Sequence, residues 1–115
     1  MPPQNNNIPH FDRSDLFGGK GRVRIWNLIP PNTNCHPFTA SLWCSLEAKG
    51  NVGRHLQQVY PEVIICLSGK GRISVDDTSH DFQVGTQVYL PLGSVLAIQN
   101  EGEEELEYLI IKAKG

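Results

Sequence analysis

Several features that define large protein classes are missing from this chain. No apolar stretch approaches the ~20 residues that a membrane-spanning helix requires, so no membrane partner is expected. Lysine and arginine are scattered, with no basic run and a net charge of −2, which argues against a nucleic-acid surface. The N-terminus is built of proline, glutamine and asparagine and lacks a charged segment followed by an apolar one, so no secretory leader is expected. Cysteine occurs three times, at Cys35, Cys44 and Cys66, an odd and widely spaced set. Such a set makes neither a zinc-type pair nor a disulfide framework. It predicts reduced thiols in a cytoplasmic protein, with Cys44 and Cys66 as small buried residues of strands. Long helical periodicity is also absent between the apolar segments, which disfavours a parallel α/β fold.

What is present describes one small domain. With 115 residues, 39% of them hydrophobic and 19% charged, the composition is that of an ordinary globular protein. A chain of this size buries roughly two-thirds of its unfolded surface, enough for a core without disulfides. Residues 1–20 are expected to form an N-terminal tail and a short turn. Residues 21–115 are expected to form the single domain. Within the first segment, Met1 to Ile8 suggests a loose tail. His10 to Phe17 suggests a helical turn with Ser14 as its cap, ended by Gly18 and Gly19.

Strand signals follow. Arg22 to Leu28 alternates polar and apolar residues, and Thr39 to Glu47 is rich in aromatic and β-favouring types. Lys49 to Gly53 reads as a break, and His55 to Tyr60 as a short strand stopped by Pro61. Glu62 to Ser68 carries the continuous apolar run Val63 to Leu67, a sign of burial on both faces. Further strands are expected over Arg72 to Val75, His80 to Val84, Val88 to Leu90, Val95 to Asn100 and Leu106 to Lys112. About nine short strands, each bounded by glycine, proline or asparagine, indicate an all-β sandwich or barrel.

Two spaced motifs stand out. The first runs His55-Leu56-Gln57, then Glu62, then Gly69. The second runs Gly85, then Pro91-Leu92-Gly93, then Leu96 and Asn100. Side chains alternate along a strand. His55 and Gln57 therefore share a face, as do Glu62, Ile64 and Cys66, and as do Leu96, Ile98 and Asn100. Gly69, Gly85 and Gly93 sit where tight turns need unusual backbone angles.

In order and separation these motifs resemble the two signature motifs of the cupin superfamily. The resemblance implies a double-stranded β-helix, or jelly-roll barrel, with a pocket inside it. Metal-binding cupins use three histidines and one glutamate from these positions. Here His55 and Glu62 match, Gln57 stands at the second histidine position and Leu96 at the last. Aliphatic carbon donates no electron pair, and an amide oxygen is a weak ligand beside imidazole.

The expected pocket comprises His55, Gln57, Glu62, Ile64, Cys66, Leu96 and Ile98. Its expected use is to bind a small polar organic molecule, with His55 and Glu62 hydrogen-bonded to one another and no resident cofactor. The alternative is a metal-dependent enzyme of isomerase or dioxygenase type, with a divalent metal held weakly by His55, Gln57 and Glu62. Some isomerases of the superfamily do use glutamine on zinc. His36 and Cys44 are candidate substitute ligands. A third reading is a metal-free epimerase, with His55 as base oriented by Glu62 and with Tyr60 or Tyr89 as acid. His80, and the acidic run Glu103 to Glu105, are expected to be solvated, and Trp26 and Trp43 to be core or interface residues. The outward residues Val63, Ile65 and Leu67 need covering, which predicts a homodimer.

Overall fold

The computed structural model describes residues 8–30, 32–57 and 59–114. It is all-β, with ten strands and no α-helix among the described residues. The strands are β1 (His10–Ser14), β2 (Arg22–Asn27), β3 (Phe38–Leu46), β4 (Asn51–Leu56), β5 (Glu62–Ser68), β6 (Lys70–Val75), β7 (Thr78–Gln83), β8 (Gln87–Leu90), β9 (Val95–Asn100) and β10 (Leu106–Ala113). They form two antiparallel sheets. The larger has the order β1-β2-β3-β10-β5-β8 and the smaller β4-β9-β6-β7. The inner faces pack on one another as a jelly roll whose two sheets are not closed into one continuous ladder.

Alternation builds the core. On β5, Glu62, Ile64 and Cys66 are buried while Val63, Ile65 and Leu67 on the other face are only partly so. Leu96, Ile98 and Asn100 are buried together on β9. Cys44 and Cys66 are both buried and all three cysteines are free thiols. Gly69, Gly85 and Gly93 have φ of 90°, 91° and 92°, the left-handed backbone that side chains disfavour.

Two sequence-based expectations are corrected. The helical turn expected over His10 to Phe17 is instead strand β1, paired along its whole length with β2, followed by a one-turn 3₁₀ helix at Leu16–Gly18. A long-range ladder has overridden weak local propensity. The tail expected over residues 1–8 lies, Ile8 aside, outside the described residues. The break expected at Lys49 to Gly53 is shorter than anticipated. β4 already begins at Asn51, pairs Val52 with Ile98, and ends at Leu56 rather than Tyr60.

β4 also carries a bulge. Val52 pairs with Ile98 and His55 with Leu96, so Gly53 and Arg54 together oppose the single residue Ala97. The extra residue resets the alternation, and Val52 and His55, three apart, come to line the same cavity.

Asn100 faces inward as expected, but its role is to tie loops together. Its Nδ2 donates to the carbonyls of Leu46 (3.1 Å), Glu47 (3.1 Å) and Glu104 (2.8 Å), and its Oδ1 accepts from Gly102 N–H (2.9 Å). Truncation strands buried acceptors in both loops. Asn100→Ala is therefore expected to lower unfolding stability by about 2–3 kcal/mol in urea titrations; a loss below about 0.5 kcal/mol would show that the loops are held by other contacts.

Candidate functional site

A cavity of about 420 Å³ opens between the two sheets. β4, β9 and the segment after β4 supply one wall, and β2, β3, β5 and β10 the other; β1 and the 3₁₀ turn lie across the mouth. Of the residues expected to form the pocket, His55, Gln57, Glu62, Leu96 and Ile98 line it. Ile64 and Cys66 share the inner face of β5 with Glu62 but do not line the cavity; they are packed in the hydrophobic core.

The polar centre is Glu62, 4% exposed. Its Oε2 accepts a 2.7 Å hydrogen bond from Gln57 Nε2, whose second bond goes to the Tyr60 carbonyl at 3.2 Å. Lys112 is Glu62's direct cross-strand partner on β10, and its Nζ stands 3.7 Å from the same oxygen. Burial raises the Glu62 carboxyl above its ordinary value, and the Lys112 and Gln57 contacts pull it partly back.

His55 is engaged elsewhere. Nδ1 lies 2.9 Å from the Gly53 carbonyl, and the ring stacks on Phe17 with centroids 3.8 Å apart and planes 11° from parallel. Among the described residues no hydrogen bond joins His55 to Glu62, so the expected pair, and with it the expected base–orienter dyad, is not formed. Phe17 holds its place with a left-handed backbone (φ 54°, ψ 36°). A Cβ at Gly53 would come within 2.0 Å of the Phe17 carbonyl oxygen, so glycine is what lets the 3₁₀ turn cross there.

No group of three or more His, Cys, Asp or Glu side chains able to hold a metal occurs among the described residues. His36 is exposed in the loop before β3 and lines no part of the cavity. Cys44 does line it, but burial, with the Glu62 charge adding, pushes its thiol up to about 12. It is a protonated thiol at neutral pH. Tyr60 is at the cavity, whereas Tyr89 is on the outer surface. His80 and Glu103 to Glu105 are exposed as expected.

Sequence reasoning missed Arg13, Phe17, Tyr108 and Lys112, all of which line the cavity. For the last two a signal was available: Tyr108, Ile110 and Lys112 alternate on β10, so a lysine shares the inward face with a tyrosine and an isoleucine.

The family model for the cupin domain matches residues 42–112, which include both motifs and most of this cavity. The chain belongs to the cupin family. Solved structures agree on the fold of this cupin. A predicted oxalate decarboxylase from Thermotoga maritima is 22% identical over all of both chains, with a TM-score of 0.88. The plu4264 protein of Photorhabdus luminescens is 17% identical, over 99% of this chain and 87% of its own, with a TM-score of 0.77. A cupin 2 conserved barrel protein from Salinispora arenicola is 23% identical, over 100% of this chain and 87% of its own, with a TM-score of 0.73. At these identities the likeness establishes the fold alone. No curated protein matches the chain in sequence.

The raised Glu62 carboxyl has a pH signature. The folded chain holds that proton more tightly than the unfolded chain, so Glu62 makes stability fall as pH rises from about 4.5 through its folded value. Subtracting the stability of Glu62→Gln from that of the wild type in urea titrations isolates this contribution. The difference is expected to decline as pH rises from about 4.5 through the folded value of Glu62. A difference that grows with pH would show that the Lys112 attraction outweighs burial.

Proposed function

We propose that this cupin binds a small organic solute in the cavity between its sheets and keeps no resident transition metal there. The observation that carries this reading is the state of Glu62. Its carboxylate is engaged by an amide N–H and faces an ammonium group, while the histidine that would share a metal with it is stacked under Phe17. A divalent cation at Glu62 would compete with Gln57 and Lys112 for the same carboxylate oxygen or share the carboxylate with them. Leu96, the cross-strand neighbour of His55, offers no lone pair in compensation. The walls suit a solute with polar and apolar parts: Gln57, Glu62 and His55 as hydrogen-bonding groups, and Leu96, Ile98 and Ile110 as apolar surface. Three free thiols fit a reducing, cytoplasmic setting. No helix among the described residues is long and apolar enough to cross a membrane.

We also propose that the protein pairs with a second copy of itself. The outer face of the larger sheet carries a half-buried row in register, Trp43, Leu109 and Ile65, with Ile111 and Val63 beside it; Trp26, next in the row, is already buried and packs with His10. An apolar face of this kind calls for a cover, and closed two-fold dimers are the commonest assembly.

Melting curves across a panel of metabolites test the first reading. At least one compound is expected to raise the melting temperature, as binding to the folded state requires, and Gln57→Leu is expected to remove that shift. Metal analysis of untagged protein is expected to give less than about a tenth of an ion per chain, even after incubation with manganese, iron, nickel or zinc. Stoichiometric metal, or a panel with no shift at all, would reject the reading. Light scattering at micromolar concentration is expected to give a dimer mass, reduced to that of the monomer by Ile65→Lys; a monomeric wild type would reject the pairing.

A further inference from the structure

The cavity runs against the charge of the chain that encloses it. The protein as a whole carries −2. The side chains lining the cavity include two fixed cations, Arg13 and Lys112, and one acid, Glu62. With Glu62 ionised one positive charge is in excess, and with Glu62 protonated the excess is two.

Both cations have capacity to spare. Lys112 Nζ stands 3.7 Å from Glu62, beyond direct hydrogen-bond range, and an ammonium has three donors. Arg13 has its guanidinium carbon 4.6 Å from the centre of the Phe11 ring, and Nη1 donates to the Asp12 carbonyl at 3.0 Å. Those contacts hold the group at the mouth and use few of its five N–H donors.

The mouth is otherwise apolar. Phe11, Phe17, Leu56 and Val59 are 41%, 57%, 48% and 69% exposed, and all four line the cavity. These are half of the large hydrophobic residues that the described surface exposes, gathered at one opening. Exposed apolar groups concentrated in this way mark a recognition site rather than ordinary surface. A volume of about 420 Å³ lies in the range of small-molecule sites, generally about 300–1,000 Å³.

From the two cations in its lining and this apolar opening we infer that the solute is an organic anion with an apolar body, a small monocarboxylate. The inference rests on the binding reading above and specifies its ligand. The carboxylate is drawn in by the positive excess that Arg13 and Lys112 give the lining, and the hydrocarbon part lies against Phe17, Leu96 and Ile98. A simple inorganic anion would leave the apolar walls unused, and an organic cation would meet two like charges.

Calorimetric titration at low ionic strength tests this with three matched sets of probes: hexanoate and phenylacetate, their primary amides, and hexylamine and phenethylamine. Each acid is expected to bind at least about tenfold more tightly than its amide, a gap that salt narrows. The amines are expected not to bind. Arg13→Gln and Lys112→Gln are each expected to weaken the acids more than the amides and so shrink the acid-to-amide ratio. Arg13 is exposed, so its variant remains informative even if Lys112→Gln does not fold. Amides or amines binding as tightly as the acids would overturn the anion inference and leave solute binding standing. An acid-to-amide ratio unmoved by the Arg13 variant, and by the Lys112 variant where it folds, would also overturn it. No binding by either acid at about 10 mM would overturn the anion inference, while solute binding stands or falls by the melting panel.

Discussion

An acid buried between two sheets has to be met by partners, and here that requirement organises the site. Leaving Glu62 ionised and unpaired at 4% exposure would cost several kcal/mol. Its two partners come from opposite walls. Gln57 follows β4 of the smaller sheet, and Lys112 stands opposite Glu62 on β10 of the larger one. The contact therefore spans the cavity and fixes what the remaining surface offers. With the carboxylate turned toward an amide and an ammonium, the acid serves the protein's own structure first.

Local chemistry was legible where the cause is local. The three turn glycines announced positive φ because few other residues take that conformation, and all three adopt it. The alternation of Glu62, Ile64 and Cys66 gave the correct face of β5. It did not give depth: a face is a property of period two, whereas reaching the cavity depends on where along the strand the sheets diverge. Ile64 and Cys66 consequently went to the core while Glu62 reached the opening. β1 was invisible because His10–Ser14 owes its form to pairing with β2 and not to its own propensity. Arg13 was lost with it. Phe17 over His55 is a contact across 38 positions of sequence, made by a turn whose course depends on Gly53. Gly53 itself looked like a strand breaker, whereas it marks the bulge and the close approach of another backbone.

The bulge and the crossing turn jointly decide what the family's histidine does in this chain. The bulge aims His55 at the cavity, opposite Leu96. The 3₁₀ turn then lays an aromatic ring on its face, and the Gly53 carbonyl occupies Nδ1. With Nδ1 donating to the Gly53 carbonyl, Nε2 keeps the ring's lone pair, so the departure from the metal-binding pattern beside His55 lies in its neighbours Leu96 and Gln57 and not in the imidazole itself. The same substitution of carbon for nitrogen at Leu96 that removes a ligand also lines the interior with hydrocarbon.

The frame and the cavity are separable, which is why a cupin can keep its fold while its site changes. The frame depends on Asn100 bridging the loops after β3 and β9, on the turn glycines, and on core residues such as Ile73, Phe82 and Leu106 that line no part of the cavity. None of these groups needs a metal to be satisfied. The residues that depart from the metal-binding pattern, Gln57 and Leu96, lie instead where the inner faces separate. There, each residue must satisfy only its immediate neighbours: Gln57 hydrogen-bonds Glu62, and Leu96 packs beside His55. Replacing imidazole by amide and alkyl groups thus leaves no buried donor or acceptor stranded, and the penalty that would otherwise preserve the ligands is absent. The interior of this barrel can consequently change its side chains at little cost to the sheets around it.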